Sequence, residues 1–343
     1  MKKFGNVLYI TSPDVYLSLD GENIVIKKEE HVSTRLPLHN LENIVCFNYQ
    51  GVSPALMGAC AEKNIGLCFL TAHGRFLARI TGRTRGNVLL RKRQYEISDR
   101  GHQAVRLASC FLLGKIYNSR KVIERALRDH AMLVDKQALE KASQSLKETL
   151  RAVQKSQTIA ELMAFEGSAA KTYYGVFNQL ILHQREEFRF EERTRRPPMD
   201  NMNSLLSFLY TLLANEAVSA LEAVGLDPYV GFLHADRPGR PSLALDLIEE
   251  FRPILADRLA LSLVNLRQVR GNGFVKKESG GILMDEDTRK IVIHTWQERK
   301  REQITHPYLG ERMYIGLLLH VQATLLARYL RGDLDAYPPF FWS

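Results

Sequence analysis

Gly231-Phe232-Leu233-His234 leads through a short polar loop into Ser242-Leu243-Ala244-Leu245-Asp246-Leu247-Ile248-Glu249-Glu250-Phe251-Arg252-Pro253. Leu243, Leu247, Phe251 and Ile254 recur at helical spacing and predict a helix over Ser242–Leu259 with an apolar core stripe. Asp246, Glu249 and Glu250 are three and four residues apart, which places them on neighbouring turns of one side. Carboxylates on so apolar a helix are costly to bury unless a positive group compensates them. His234 precedes the helix, and Glu249 is expected to project toward its loop. One imidazole with carboxylate oxygens suits Mg²⁺ or Mn²⁺ better than structural zinc. A solvated acid pair and a histidine serving only a hydrogen bond are the alternative.

Upstream, Glu166-Gly167-Ser168-Ala169-Ala170, with Gly175 further along, sets small residues on one helix. Small residues let a neighbouring helix approach closely, and a glutamate at that surface is desolvated unless it meets a cation. Glu166, His234 and Glu249 then offer three ligands and leave positions for water and phosphate oxygens. That set serves phosphoryl chemistry, in which a metal polarises the phosphate and activates an attacking oxygen. No P-loop, GxGxxG or Ser-His-Asp order competes with it.

Working outward, two textures divide the 343 residues. Residues 6 to about 80 read as strands, with Asn6–Thr11, Val15–Leu19, Ile24–Ile26, Asn43–Phe47, Ile65–Leu70 and Arg75–Ile80 rich in β-branched and aromatic residues. Asp20-Gly21-Glu22-Asn23 is a hairpin signal. Ser53-Pro54 opens a short helix through Lys63 with a serine cap and proline in the first turn. From about residue 98 the period becomes helical, over Ala104–Tyr117, Ala131–Val153, Ile159–Arg185, Ser204–Val224, Ser242–Leu259 and Tyr308–Arg331. The predicted fold class is α+β: a small β-rich N-terminal dimerisation domain (1–85), a basic linker (86–97) and a larger all-α catalytic domain (98–343). The tail Tyr337-Pro338-Pro339-Phe340-Phe341-Trp342 cannot continue a helix; it is a docking peptide or is tucked onto its own domain.

The formal charge of +9 points to a polyanionic partner, nucleic acid first and an anionic membrane surface second. Arg79, Arg83, Arg85, Arg91, Lys92 and Arg93 form a run without an acid, suited to phosphate contacts. Arg195 and Arg196 belong to a second cluster, and Lys276 and Lys277 to a third. Tyr174 and Tyr210 are candidates for stacking on splayed bases, with core packing as the alternative. Cys46, Cys60, Cys68 and Cys110 form no CxxC pair, which argues against zinc and a disulfide framework. Met1-Lys2-Lys3-Phe4 runs straight into a strand pattern, and no apolar run approaches a membrane span, so a cytoplasmic protein is expected.

Taken together, Glu166–Ala170 with Tyr174, Arg195-Arg196-Pro197-Pro198-Met199-Asp200 ahead of Asn203–Tyr210, Gly231–His234, and Ser242–Leu247 with Glu249 resemble the CRISPR-associated integrase family Cas1 over the whole chain. The aromatic tail resembles that of the subtype I-C branch. The resemblance implies a β-rich N-terminal domain that forms dimers and a helical catalytic domain. It implies metal binding by Glu166, His234 and Glu249, with glutamate at position 249 where many relatives have aspartate, and Asp246 as a supporting acid. The implied activity is metal-dependent (Mg²⁺ or Mn²⁺) cutting and joining of double-stranded DNA, prespacer into CRISPR repeat, by 3′-hydroxyl attack on a phosphodiester. The implied assembly is two Cas1 homodimers flanking a central Cas2 dimer. A nuclease of branched repair intermediates and a non-enzymatic DNA scaffold are the rival expectations.

Overall fold

The computed structural model describes residues 6–12, 14–28, 31–47, 50–71, 76–82, 88–278 and 280–342. The chain divides into two units. One comprises Met1–Gly86 with Ile293–Ile304 and Met313–Leu318; the other comprises Asn87–Val292, Thr305–Arg312 and Leu319–Ser343.

In the first unit, strands β1 (Val7–Ile10), β5 (Asn43–Cys46) and β6 (Gly66–Leu70) pair in parallel, and β7 (Phe76–Ile80) closes the sheet antiparallel to β6. Strands β2 (Val15–Asp20), β3 (Asn23–Lys28) and β4 (His31–Pro37) form a separate antiparallel meander. The Asp20–Asn23 hairpin forms as its residues predict, with Asp20 facing Asn23 and Gly21 turning the corner at φ +58°. Helix α1 (Pro54–Lys63) starts where Ser53 Oγ accepts from Leu56 N, and Asn64 ends it in the left-handed region. Leu17, Ile24, Leu38, Ile44, Leu56 and Leu67 are fully buried in this unit's core, and each contributes about 2 kcal/mol. Burial pushes the Cys46 thiol up to about 12 and those of Cys60 and Cys68 to about 11, so they behave as small apolar side chains.

The second unit is helical. The stretch read as a basic linker is helix α2 (Val88–Asp99). Buried Gln94 holds it in place: its amide donates to the carbonyls of Asp227 and Val230, and its oxygen accepts from Asp227 N. Helix α3 (Gly101–Asp129) packs against α4 (Lys136–Val153) and α5 (Ile159–Gly175). It is longer than Ala104–Tyr117 because its apolar face continues through Val122, Ile123 and Ala126. The expected helix over Ile159–Arg185 instead gives way to a 3₁₀ turn at Phe177–Leu180.

Helix α6 (Asn201–Ala223) is capped by Asp200 Oδ1 accepting from Asn203 N. It is long and apolar enough to cross a bilayer, contrary to the sequence expectation, yet most of it is buried as a core helix. The helix expected over Ser242–Leu259 divides into α7 (Ser242–Glu249), a π-helical turn at Arg252–Asp257 containing Pro253, and α8 (Arg258–Asn265). Proline has no N–H to donate to the α-helical ladder, and single π turns frequently mark functional sites. A hairpin of β8 (Phe274–Lys276) and β9 (Ile282–Met284) precedes α9 (Glu286–Arg301). Helix α10 (Leu318–Arg331) begins ten residues later than expected, after a strand at Arg312–Tyr314 and a 3₁₀ turn at Ile315–Leu317.

Candidate metal centre

Three segments of the second unit supply the charged residues. Helix α7 carries Asp246 and Glu249, the preceding loop carries His234, and α5 carries Glu166. Asp246 is fully buried and saturated. Its Oδ2 accepts from the backbone N–H groups of Phe232 (2.7 Å) and Leu233 (3.0 Å), and Oδ1 accepts from His234 N (2.9 Å). Oδ1 also lies 2.7 Å from His234 Nδ1. With Asp246 accepting, Nδ1 bears the proton and Nε2 keeps its lone pair, facing Glu249 Oε1 at 3.9 Å. Asp246 is therefore the group that orients the imidazole, the arrangement common behind metal-bound histidines. Gly231 is required at the base of this loop, since a Cβ there would meet Ser242 Cβ at 2.8 Å and Asp246 Oδ2 at 3.0 Å.

Glu249 is buried with cations on two sides. Arg252 pairs with its Oε1 at 2.5 Å, and Lys115 Nζ from α3 lies 2.7 Å from its Oε2. Burial alone raises the pKa of such a carboxyl, yet Arg252 and Lys115 hold it well below the usual carboxylate range. The same Lys115 ammonium contacts Glu166 Oε1. Lys115 thus bridges Glu166 and Glu249, and His234 lies beside Glu249. Among the described residues, no three histidine, cysteine or acidic side chains are gathered into a ready coordination cluster.

The residues nevertheless fit a hard divalent cation. Glu249 Oε2 is buried and, despite its proximity to Lys115, has no hydrogen bond of acceptable direction. Two carboxylates that share the Lys115 ammonium, and an imidazole beside one of them, have the donor chemistry that suits Mg²⁺ or Mn²⁺. The small residues of α5 play a different part from the one expected. Nothing lies within 4 Å of a Cβ built at Gly167 or Gly175. The close helix approach is on α3, where a Cβ at Gly114 would meet Glu250 Cγ at 2.7 Å.

Glu250 does not share a side with Glu249. Its carboxyl, fully buried, accepts from Tyr337 OH (2.7 Å), Phe340 N (2.7 Å) and Gln322 Nε2 (3.0 Å). Burial outweighs these bonds and pushes it up to about 8. Asn118 adds bonds to the Glu250 and Phe340 carbonyls and accepts from Trp342 N. The aromatic tail is therefore packed onto its own unit.

Of the other predicted residues, Tyr174 and Tyr210 belong to an interior network. Tyr210 OH donates to buried Asp257 at 2.5 Å, Tyr174 OH lies 2.9 Å from Tyr210 OH, and the guanidiniums of Arg193 and Arg252 lie over the Tyr210 ring. With two cations over it, the Tyr210 ring is not an open platform for a base. Arg91 Nε donates to Gly225 O, and Arg93 pairs with Glu96, so part of the basic run is spent on structure. Arg195, Arg196, Lys276 and Lys277 are exposed, while Arg83 and Arg85 lie outside the described residues. Lys115 and Arg252 are not anticipated by the sequence reading. The available signal for Lys115 was a lysine in register with Phe111 and Ser119 on a buried helical face.

Residues 8–298 match the family model described as CRISPR associated protein Cas1. The chain is 48% identical over 342 residues to CRISPR-associated endonuclease Cas1 1 of Chlorobaculum tepidum, covering all of both chains. Among solved structures, a casposase bound to integration product superposes with a TM-score of 0.83 at 20% identity, over 100% of this chain and 95% of that one. A Cas6-RT-Cas1–Cas2 complex superposes with a TM-score of 0.83 at 22% identity, over 100% of this chain and 36% of that one. This chain belongs to the CRISPR-associated Cas1 family.

Proposed function

We propose that this Cas1 protein joins the 3′ end of a short DNA duplex to a CRISPR repeat at a divalent metal held by Glu166, His234 and Glu249. The observation that carries the reading is a cation already seated between the two carboxylates, the Lys115 ammonium shared by Glu166 and Glu249, with His234 Nε2 3.9 Å from Glu249 Oε1. Mg²⁺ or Mn²⁺ bound there supplies Lewis-acid stabilisation of charge on the phosphodiester and lowers the pKa of an attacking hydroxyl. Asp246 fixes the imidazole tautomer and aim through its four contacts to the Phe232–His234 segment. Arg252 holds the Glu249 carboxylate in place, so that its other oxygen faces the ligand position. Lys115 balances the two glutamates. Water in place of the 3′ hydroxyl turns joining into hydrolysis at the same residues, which accounts for endonuclease and integrase behaviour together.

Exposed basic side chains, Arg195, Arg196, Lys276 and Lys277 among them, grip double-stranded DNA mainly by its backbone, so affinity depends on salt more than on sequence. The partner is Cas2, assembled as two Cas1 homodimers around a Cas2 dimer in the cytoplasm. Support for Cas2 is the fold shared with a Cas1–Cas2 complex, and support for joining is the fold shared with a casposase on its product. The test is incorporation of a labelled duplex into a repeat-bearing plasmid with Cas2 and Mn²⁺. Glu166→Ala and His234→Ala are expected to give no joined product. Wild-type joining by either variant refutes the site.

A further inference from the structure

Helix α7 ends at Glu249, and the regular ladder does not continue past it. Pro253 has no N–H, so the Glu249 carbonyl, four residues earlier, lacks its α-helical partner. The backbone passes instead into the π-helical turn at Arg252–Asp257. A carboxylate on the last turn of an interrupted helix needs other restraints to keep it aimed.

Those restraints come from the aromatic segment at residues 337–342. Tyr337 OH and Phe340 N each donate to the Glu250 carboxyl at 2.7 Å. Gln322 Nε2 donates to the same carboxyl at 3.0 Å and lies 2.8 Å from Tyr337 OH. The Phe340 ring packs on Phe251 with centroids 5.2 Å apart, and the Arg258 guanidinium, just past the π-helical turn, lies over the Trp342 ring at 5.0 Å. The segment therefore grips the chain on both sides of the interruption.

Fully buried Asn118 ties this arrangement to helix α3. Its amide donates to the Glu250 carbonyl at 2.7 Å and the Phe340 carbonyl at 2.8 Å, and its Oδ1 accepts from Trp342 N at 2.8 Å. Asn118 follows Lys115, the lysine that contacts Glu166 and Glu249, by about one helical turn. A segment held only for its apolar area needs its rings buried. This one also directs a hydroxyl, two N–H groups and a carbonyl onto Glu250 and Asn118, beside Glu249 and one turn from Lys115.

We propose that residues 337–342 are a positioning element of the metal centre, strapping the interrupted end of α7 to α3 so that Glu249 stays aimed at the ligand position. They act through Glu250 and Asn118. The assignment rests on the metal reading above.

The experiment measures Mn²⁺ affinity by calorimetry, and hydrogen exchange of the amides between residues 248 and 255, at a temperature where circular dichroism shows each variant folded. Removal of residues 336–343 is expected to weaken Mn²⁺ binding about tenfold and to speed exchange at those amides. A synthetic peptide of residues 336–342, added in excess, is expected to return both toward wild type. Tyr337→Phe keeps the ring and loses one donor to Glu250, and its affinity is expected to fall on the order of threefold. Leu139→Ala, at a fully buried position on α4, is expected to lower the unfolding midpoint while leaving Mn²⁺ affinity at the wild-type value. Wild-type Mn²⁺ affinity in both the truncated protein and Tyr337→Phe overturns the proposal, as does an equal loss in Leu139→Ala. Should the truncated protein not fold, Tyr337→Phe decides alone. Absence of Mn²⁺ binding by the wild-type protein instead refutes the metal reading. Exchange then decides the strap: wild-type rates at those amides in the truncated protein overturn it.

Discussion

Glu249 and Glu250 are adjacent, both buried, and chemically identical, yet they occupy opposite kinds of surroundings. Glu249 faces His234 and the cations Lys115 and Arg252, and the two cations keep its charge in place. Glu250 faces a tyrosine hydroxyl, an amide and a backbone N–H, and the neutral form prevails there up to about pH 8. One residue along a helix rotates the side chain by about 100°, enough to change neighbours completely. The comparison teaches that burial alone does not mark a catalytic acid. What distinguishes Glu249 is that its partners are cations, Arg252 on Oε1 and Lys115 on Oε2; Glu250 has the neutral donors that a structural carboxyl needs.

The sharpest way to break the contrast is to neutralise Glu249. Glu249→Gln leaves Lys115 and Arg252 short of a counter-charge, and it should abolish Mn²⁺ binding by calorimetry and lower DNA joining by about a thousandfold, roughly 4 kcal/mol. Glu250→Ala leaves the Gln322, Tyr337 and Phe340 donors unpaired and should cost about 3 kcal/mol of stability in a urea melt. Mn²⁺ affinity under native conditions should change far less than in Glu249→Gln, and an equal loss in both would erase the distinction. Asp246→Asn tests the support behind the histidine, with Mn²⁺ affinity expected to fall by about 10–100-fold while the fold persists by circular dichroism.

The smallest effect concerns Asp257, a fourth buried acid, which burial pushes up to about 6 against the hydrogen bonds from Tyr210 and Tyr173. Its folded value lies above the unfolded one, so the native state binds the proton more tightly. The stabilisation is full below the unfolded value of 3.8 and is lost as pH rises through about 6. From pH 7 to 5, wild type should therefore gain about 1 kcal/mol relative to Asp257→Asn in parallel urea melts. A constant difference across that interval would place Asp257 with Glu249 among acids held charged.

Local patterning made much of this molecule legible. Alternating β-branched residues and the Asp20–Asn23 corner predict the β2–β3 hairpin but not β4, and Ser53-Pro54 predicts the start of α1. Helix α9 escaped because its exterior is charged and only a few residues such as Val292, Ile293 and Trp296 are buried. Helix α2 escaped because its arginines dominate the reading, although a single buried glutamine anchors it. In the candidate centre, Glu166, His234 and Glu249 could be picked out as acids and an imidazole in unusual settings. Lys115 is 51 residues from Glu166, and no local period connects the two. The opposite directions of Glu249 and Glu250 depend on the docked tail, a contact 90 residues long at Phe340.

The ammonium of Lys115 carries a consequence for how the protein is made. An acidic hollow that supplies its own counter-ion can fold to completion in cells starved of divalent ions, unlike zinc fingers, which stay unfolded until loaded. On the proposed metal reading, loading is a swap of one positive occupant for another. A chelator should empty the centre without unravelling the protein, and returning the ion should restore it.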